Sequence, residues 1–136
     1  MILTDTGPFI ALLDQRDDFH QPCLEALNRL PAEPMLTTWP CLTEAMHILG
    51  SVGGYRYQSK LWRLIEDGKL ELHDLTSLEI EKMDALMKKY QDTPMDLADA
   101  SLVAVAESMK LKQIFTIDSD FRIYRLSDGS ALEIIP

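Results

Sequence analysis

The sequence predicts an α/β fold: a mostly parallel sheet covered on both faces by helices. Two observations carry the prediction. Short β-like runs alternate with helical ones along the whole chain, the pattern that parallel strands joined by crossover helices produce. The 136 residues suit one domain with a proper core, 1–136, and leave no room for a second.

The elements follow in order. "MILT" is a short apolar strand, and "PFIALLD" is a helix opened by Pro8, whose fixed φ and missing amide hydrogen suit a first helical turn. A helix over "FHQPCLEALNRL" leads to the strand "PMLTT". "PCLTEAMHILG" is helical, with Pro40 early and Gly50 at its end. "YRYQSKLWRLIED" is a helix stopped near Gly68, and "KLELHDL" alternates as a strand does. In "TSLEIEKMDALMKKY", Thr76 and Glu79 stand at capping-box spacing, and Ile80, Met83, Met87 and Tyr90 make a core stripe. "MDLADASLVAVAES" is a helix apolar on almost every side; the strand "QIFTI", a polar turn and the strand "ALEII" complete the chain.

Composition narrows the function. Hydrophobic residues make up 46% and charged residues 26%, as in ordinary soluble domains. No apolar run reaches bilayer-spanning length, and "MILTD" enters a strand at once, which leaves a secretory leader no place. Cys23 and Cys41 have neither metal-ligand spacing nor a disulfide-rich context, so the expected compartment is a reducing cytoplasm. His20, His47 and His73 lie on separate elements without partner spacing and read as structural or exposed. The net charge of −9 disfavours non-specific nucleic-acid binding, yet carboxylates gathered in one place would attract divalent cations.

Where the acids fall is therefore the informative feature. Ligands of open α/β sheets bind beyond the carboxyl ends of the strands, near a topological switch point. Asp5 follows the first strand, Asp118 and Asp120 follow "QIFTI", Asp96 and Asp99 begin the helix before that strand, and Glu44 is on the helix after the second. Asp99 shares a face with Leu102, Val103 and Ala106, where an unpaired carboxylate would cost several kcal/mol. Other readings compete. Asp96 is also a good N-cap; Asp5, Asp118 and Asp120 are common turn residues; Glu44 falls at the margin of its apolar face and reads as exposed. Converging carboxylates would repel one another unless a cation joined them, and an all-oxygen set suits Mg²⁺ or Mn²⁺ rather than Zn²⁺.

The acids in "LTDTG", "CLTEAMHIL", "LADASLVAVA" and "FTIDSDF", in that order, resemble the PIN-domain ribonucleases, particularly the VapC-like toxins of toxin–antitoxin pairs. The resemblance spans Asp5 to Phe121. It implies a three-layer α/β/α sandwich and a metal-dependent endonuclease that hydrolyses RNA phosphodiester bonds. It matches Asp5, Glu44, Asp99 and Asp118 to the family's acidic quartet, Asp96 and Asp120 to more variable supporting acids, and Thr116 to a supporting hydroxyl. It also implies an antitoxin partner and a homodimer, for which exposed parts of the two middle helices are the candidate surface. Arg56, Lys60 and Arg63 recur at i, i+4, i+7 near Tyr55, Tyr57 and Trp62, and Arg122 and Arg125 follow the last acids; these cations could hold RNA phosphates or form a merely solvated face.

Three rival assignments fit less well. "DTG" is also an aspartic-protease signature, but here it runs into a helix rather than a β-barrel. A haloacid-dehalogenase-type site wants an acid where Gly7 stands, and a receiver domain wants paired acids that "DTG" and "LTTW" do not supply. A stand-alone RNA-processing nuclease, or a non-catalytic scaffold binding RNA or protein, keeps the same fold.

Overall fold

The computed structural model describes residues 1–136. Five strands form one sheet: β1 (Ile2–Thr4), β2 (Met35–Thr38), β3 (Leu70–His73), β4 (Gln113–Phe115) and β5 (Glu133–Ile135). Six α-helices connect them: α1 (Thr6–Leu13), α2 (His20–Arg29), α3 (Trp39–Gly53), α4 (Tyr55–Glu66), α5 (Ser77–Lys89) and α6 (Leu97–Met109), with a short 3₁₀ turn at Ser119–Arg122. The strand order is β3-β2-β1-β4-β5, and every pairing is parallel. The chain winds outward from β1 through β2 to β3, then crosses back to lay β4 on the other side of β1. The switch point is therefore the β1/β4 boundary.

Strand alternation divides the core into two layers. Leu3 lies in register with Leu36 and Ile114, and all three point into the cluster formed with α5, α6 and the segment from Phe121 to Leu132. Their neighbours Ile2, Met35 and Phe115 point the other way, into the cluster formed with α1 to α4. Successive side chains on opposite faces are what a strand's two-residue period dictates. The result is a three-layer α/β/α sandwich.

Several boundaries differ from the sequence reading. α1 begins at Thr6, two residues before Pro8, because the Asp5 side chain accepts from the Thr6 amide and caps the helix there. α3 runs past Gly50 to Gly53 and stops where Gly54 takes φ +70°. α6 begins at Leu97, since Asp96 is its N-cap. Ile80, expected in the core stripe of its helix, is exposed, and so is Leu97 in the otherwise apolar α6. The capping box at Thr76 and Glu79 is formed in both directions. Leu61 is buried and Leu64 and Ile65 pack against the core from α4.

α6 carries the most burial. Its residues from Ala98 to Ala106 are all buried between the sheet, α5 and α3, and their alanines and valines let the neighbouring layers approach closely. Thr38 at the end of β2 and Ser101 of α6 share a buried hydroxyl hydrogen bond of 2.6 Å, which ties the amino end of α6 to the carboxyl edge of the sheet. No helix is long and apolar enough to cross a membrane.

Candidate metal centre at the sheet switch point

Asp5 leaves the end of β1 and Asp118 follows β4, so the switch point alone brings these two together. Asp99 enters from the first turn of α6. One carboxylate oxygen from each of the three lies within 4.8 Å of the others. Asp5 and Asp99 are each 7% exposed, so water cannot screen their repulsion as it would at a surface. None of the five ion pairs in the molecule involves the triad.

Hydrogen bonds fix the carboxylates individually. Asp5 accepts from the Thr6 amide at 2.7 Å on one oxygen and from the Thr116 hydroxyl at 2.8 Å on the other. The same Thr116 hydroxyl accepts from the Asp118 amide at 3.0 Å, so one side chain orients two acids. Asp118 accepts from the Asp120 amide at 2.9 Å, capping the 3₁₀ turn. Asp99 accepts from the Tyr124 hydroxyl at 3.0 Å, and its amide donates to Asp96 at 2.8 Å. Gly7 permits the close approach of α1 to the β4 end: a Cβ there would stand 2.7 Å from the Ile117 side chain.

The electrostatics follow from this crowding. Burial pushes Asp5 up to about 6 against the hydrogen bonds from Thr116 and Thr6, and the charges of Asp118 and Glu44 push the same way. Burial, then the Asp96 charge, raise Asp99 to about 7 despite the Tyr124 hydrogen bond. Glu44 is raised by partial desolvation and by Asp96 and Asp118, while the Thr6 hydroxyl opposes. Tyr124 is held protonated by burial and by the Asp99 charge.

The sequence-derived residues fall into three groups. Asp5, Asp99 and Asp118 form the triad, and Thr116 binds two of its acids. Glu44 and Asp96 lie outside the triad but close enough to act on it: Glu44 is exposed on the second turn of α3 and accepts from Thr6 Oγ1 at 3.4 Å, and Asp96 serves as the α6 N-cap. Both line an open cleft of about 640 Å³ together with Trp39, His47 and Leu97. Asp120 is half-buried beside the triad and contributes its amide to Asp118. Arg56, Lys60 and Arg63 are exposed on α4, the first two lying 5.5 Å and 4.3 Å from the Tyr57 ring centre; Arg122 is exposed at the end of the 3₁₀ turn. His73 bonds Glu79 and His20 bonds the Ala11 carbonyl, while His47 is exposed.

Sequence reasoning missed Tyr124 and Thr6. Tyr124 sits 25 residues beyond Asp99 in an irregular segment without periodicity. Its one signal is the Phe121–Tyr124 spacing, which the structure shows as an edge-to-face pair at 5.2 Å.

An all-parallel α/β/α sandwich with uncompensated carboxylates at its switch point defines a class of protein built around an acidic, oxygen-only site. A family model for the PIN domain matches residues 2–126, and the chain belongs to that family. Ribonuclease VapC26 of Mycobacterium tuberculosis is 24% identical over 136 residues, covering 99% of this chain and 100% of that protein. The crystal structure of Mycobacterium tuberculosis VapC20, a sarcin–ricin loop cleaving toxin, matches at TM-score 0.84 and 19% identity over 100% of both chains. VapBC2 from Rickettsia felis, bound to a DNA fragment from its promoter, matches at TM-score 0.70 and 16% identity, again over 100% of both chains. A toxin–antitoxin complex from Klebsiella pneumoniae matches at TM-score 0.64 and 20% identity over 89% of this chain and 90% of that one.

Proposed function

We propose that the chain is a divalent-metal-dependent endoribonuclease, acting as a single domain and as the toxin of a VapBC-type toxin–antitoxin pair. The observation that carries this reading is the triad: three carboxylates converge at the switch point with no lysine or arginine paired to them. Its donors are all oxygen, which fits Mg²⁺ or Mn²⁺, and the raised carboxyl groups of Asp5 and Asp99 are what a site built around a cation shows without its charge. Asp5, Asp99 and Asp118 would hold the ion, with Glu44, Asp96 and Asp120 acting on its water. Bound there, it would supply the positive charge that stabilises a phosphodiester under attack and acidifies water at the site.

The chain's own residues do the positioning. Thr116 fixes Asp5 and Asp118, and Tyr124 fixes Asp99. Glu44, exposed at the cleft, takes the proton of the attacking water as the water oxygen bonds to phosphorus. The bond from phosphorus to the leaving ribose oxygen breaks, and that oxygen takes a proton from solvent. Exposed Arg56, Lys60, Arg63 and Arg122 serve as outlying phosphate contacts. The similarity to VapC26 and to toxin–antitoxin structures supports an antitoxin partner; a homodimer working in the cytoplasm belongs to the same reading.

Purified protein incubated with mixed single-stranded and structured RNAs tests it. Cutting is expected in Mg²⁺ or Mn²⁺, none in EDTA, and a loss of at least ~100-fold in Asp99→Asn. Induced expression should arrest growth in the wild type and not in the variant. Cutting without growth arrest would indicate a stand-alone RNA-processing nuclease. Equal cutting by Asp99→Asn would overturn the site assignment, and no cutting with no metal binding would leave a scaffold.

A further inference from the structure

An acidic protein that handles RNA needs somewhere to hold the backbone. A groove of about 440 Å³ runs between α5 and residues 125–129, lined by Lys82, Lys89, Arg125 and Ser127, with no acidic residue in its lining. This gathers three of the chain's 13 lysines and arginines, against 22 acids, at one place.

Neutral partners position two of the three cations, and the third has a single long ion pair. Arg125 donates to the Arg122 and Tyr124 carbonyls. Lys89 lies 5.2 Å from the Tyr90 ring centre. Lys82 donates to the Ser127 hydroxyl at 3.1 Å and forms a long ion pair with Glu107 at 3.9 Å, whose carboxylate also accepts from the Ser127 amide. Two unpaired positive charges, with a third held 3.9 Å from a single carboxylate, match successive anionic groups in an open groove rather than a base or an apolar side chain.

A chain of contacts links the groove to the acid triad. The Arg125 amide donates to the Tyr90 hydroxyl at 2.9 Å. The Tyr90 ring packs edge-to-face on Tyr124 at 5.1 Å, and the Tyr124 hydroxyl donates to Asp99.

We propose that Lys82, Lys89 and Arg125 form a phosphate track that holds the RNA backbone on the flank of the acid triad next to Tyr124; this rests on the ribonuclease reading. The test compares wild type, Lys82→Gln/Lys89→Gln, the Lys→Arg pair at the same positions, and a control pair, Arg29→Gln/Lys69→Gln, taken from exposed cations before the amino ends of β2 and β3. Affinity for a labelled mixed-sequence single-stranded RNA is read by anisotropy in EDTA across a KCl series, and KM and kcat for cutting are read in Mn²⁺.

The Gln pair should bind RNA less tightly, with a slope of log affinity against log salt shallower by ~1.4, about 0.7 for each lost single-strand contact. Its KM should rise while kcat stays close to wild type. The Arg pair and the control pair should match wild type. An unchanged affinity and slope in the Gln pair, in a wild-type background that does cut RNA, overturns the track and leaves the nuclease reading standing. Failure of wild type to bind or cut RNA overturns both. Loss of binding to a poly-glutamate peptide with RNA binding intact would make the groove a protein-docking surface and also overturn the proposal.

Discussion

At the scale of single residues, the account turns on how a carboxylate survives in the most buried helix of the molecule. Asp99 is held by the Tyr124 hydroxyl and by the amino end of α6, where the helix dipole favours negative charge, yet its carboxyl is still pushed up to about 7. Those contacts alone therefore do not settle the charge. Tyr124 is a positioning residue for Asp99. Tyr124→Phe keeps the ring packing on Tyr90 and Phe121 and removes one hydrogen bond, so the expected loss is ~10- to 100-fold in metal affinity or activity with little change in melting temperature. Calorimetric Mn²⁺ titration beside a thermal melt separates the two. Unchanged metal affinity and activity would remove Tyr124 from the site. Asp99 was legible in the sequence because its apolar neighbours at helical spacing made an acid conspicuous. Glu44 was not: it sits at the margin of its helical face, is exposed, and only the family resemblance singled it out.

At the scale of elements, local chemistry sets most boundaries. Side-chain caps at Asp5, Thr76 and Asp96 start α1, α5 and α6, and two of the three caps are also acids of the candidate site. A cap that doubles as a site residue is hard to read from sequence, and the sequence pattern therefore puts the start of α1 two residues late, at Pro8. The cap of α5 has a purely structural outcome. Burial pushes Glu79 up, but hydrogen bonds from Ser108, the Thr76 amide and His73 outweigh it and bring it down to about 2. A depressed carboxyl stabilises the fold above its ordinary value of 4.5, and that contribution is lost as pH falls from there towards about 2. Thr76→Ala should cost about 1 kcal/mol at neutral pH, and Glu79→Gln should flatten the acid limb of the unfolding curve. Denaturant melts of both variants across that pH range check this; a wild-type acid limb in Glu79→Gln would show that the cluster does not titrate as described. Ile80, placed in the core by helical periodicity, is exposed because Met83 and Leu86 already cover the α6 side.

At the scale of the whole molecule, the strand order decides what the acids can do. The alternation of strands and helices was legible along the chain, and with it a parallel sheet, but strand order is not encoded locally. The β1/β4 adjacency that brings Asp5 to Asp118 comes from long-range packing of Leu3 against Ile114 and Leu36. The same packing buries two acids whose carboxyls are raised from 3.8 to about 6 and about 7. The sign of the linkage follows. The folded state keeps protons on Asp5 and Asp99 that the unfolded chain releases near pH 4, so their contribution to stability is full below that and lost as pH rises through about 6 to 7. A divalent cation that binds only the folded state reverses the trend. The measurement that tests this most directly is the melting temperature of wild type and Asp99→Asn from pH 4 to 8, with EDTA or with Mn²⁺. Wild type should lose stability towards neutral pH in EDTA and recover it in Mn²⁺, increasingly so as the pH rises, while Asp99→Asn should show a smaller loss and little recovery. A wild-type melting temperature indifferent to Mn²⁺, or an equal Mn²⁺ response in Asp99→Asn, would contradict a metal centre at the triad.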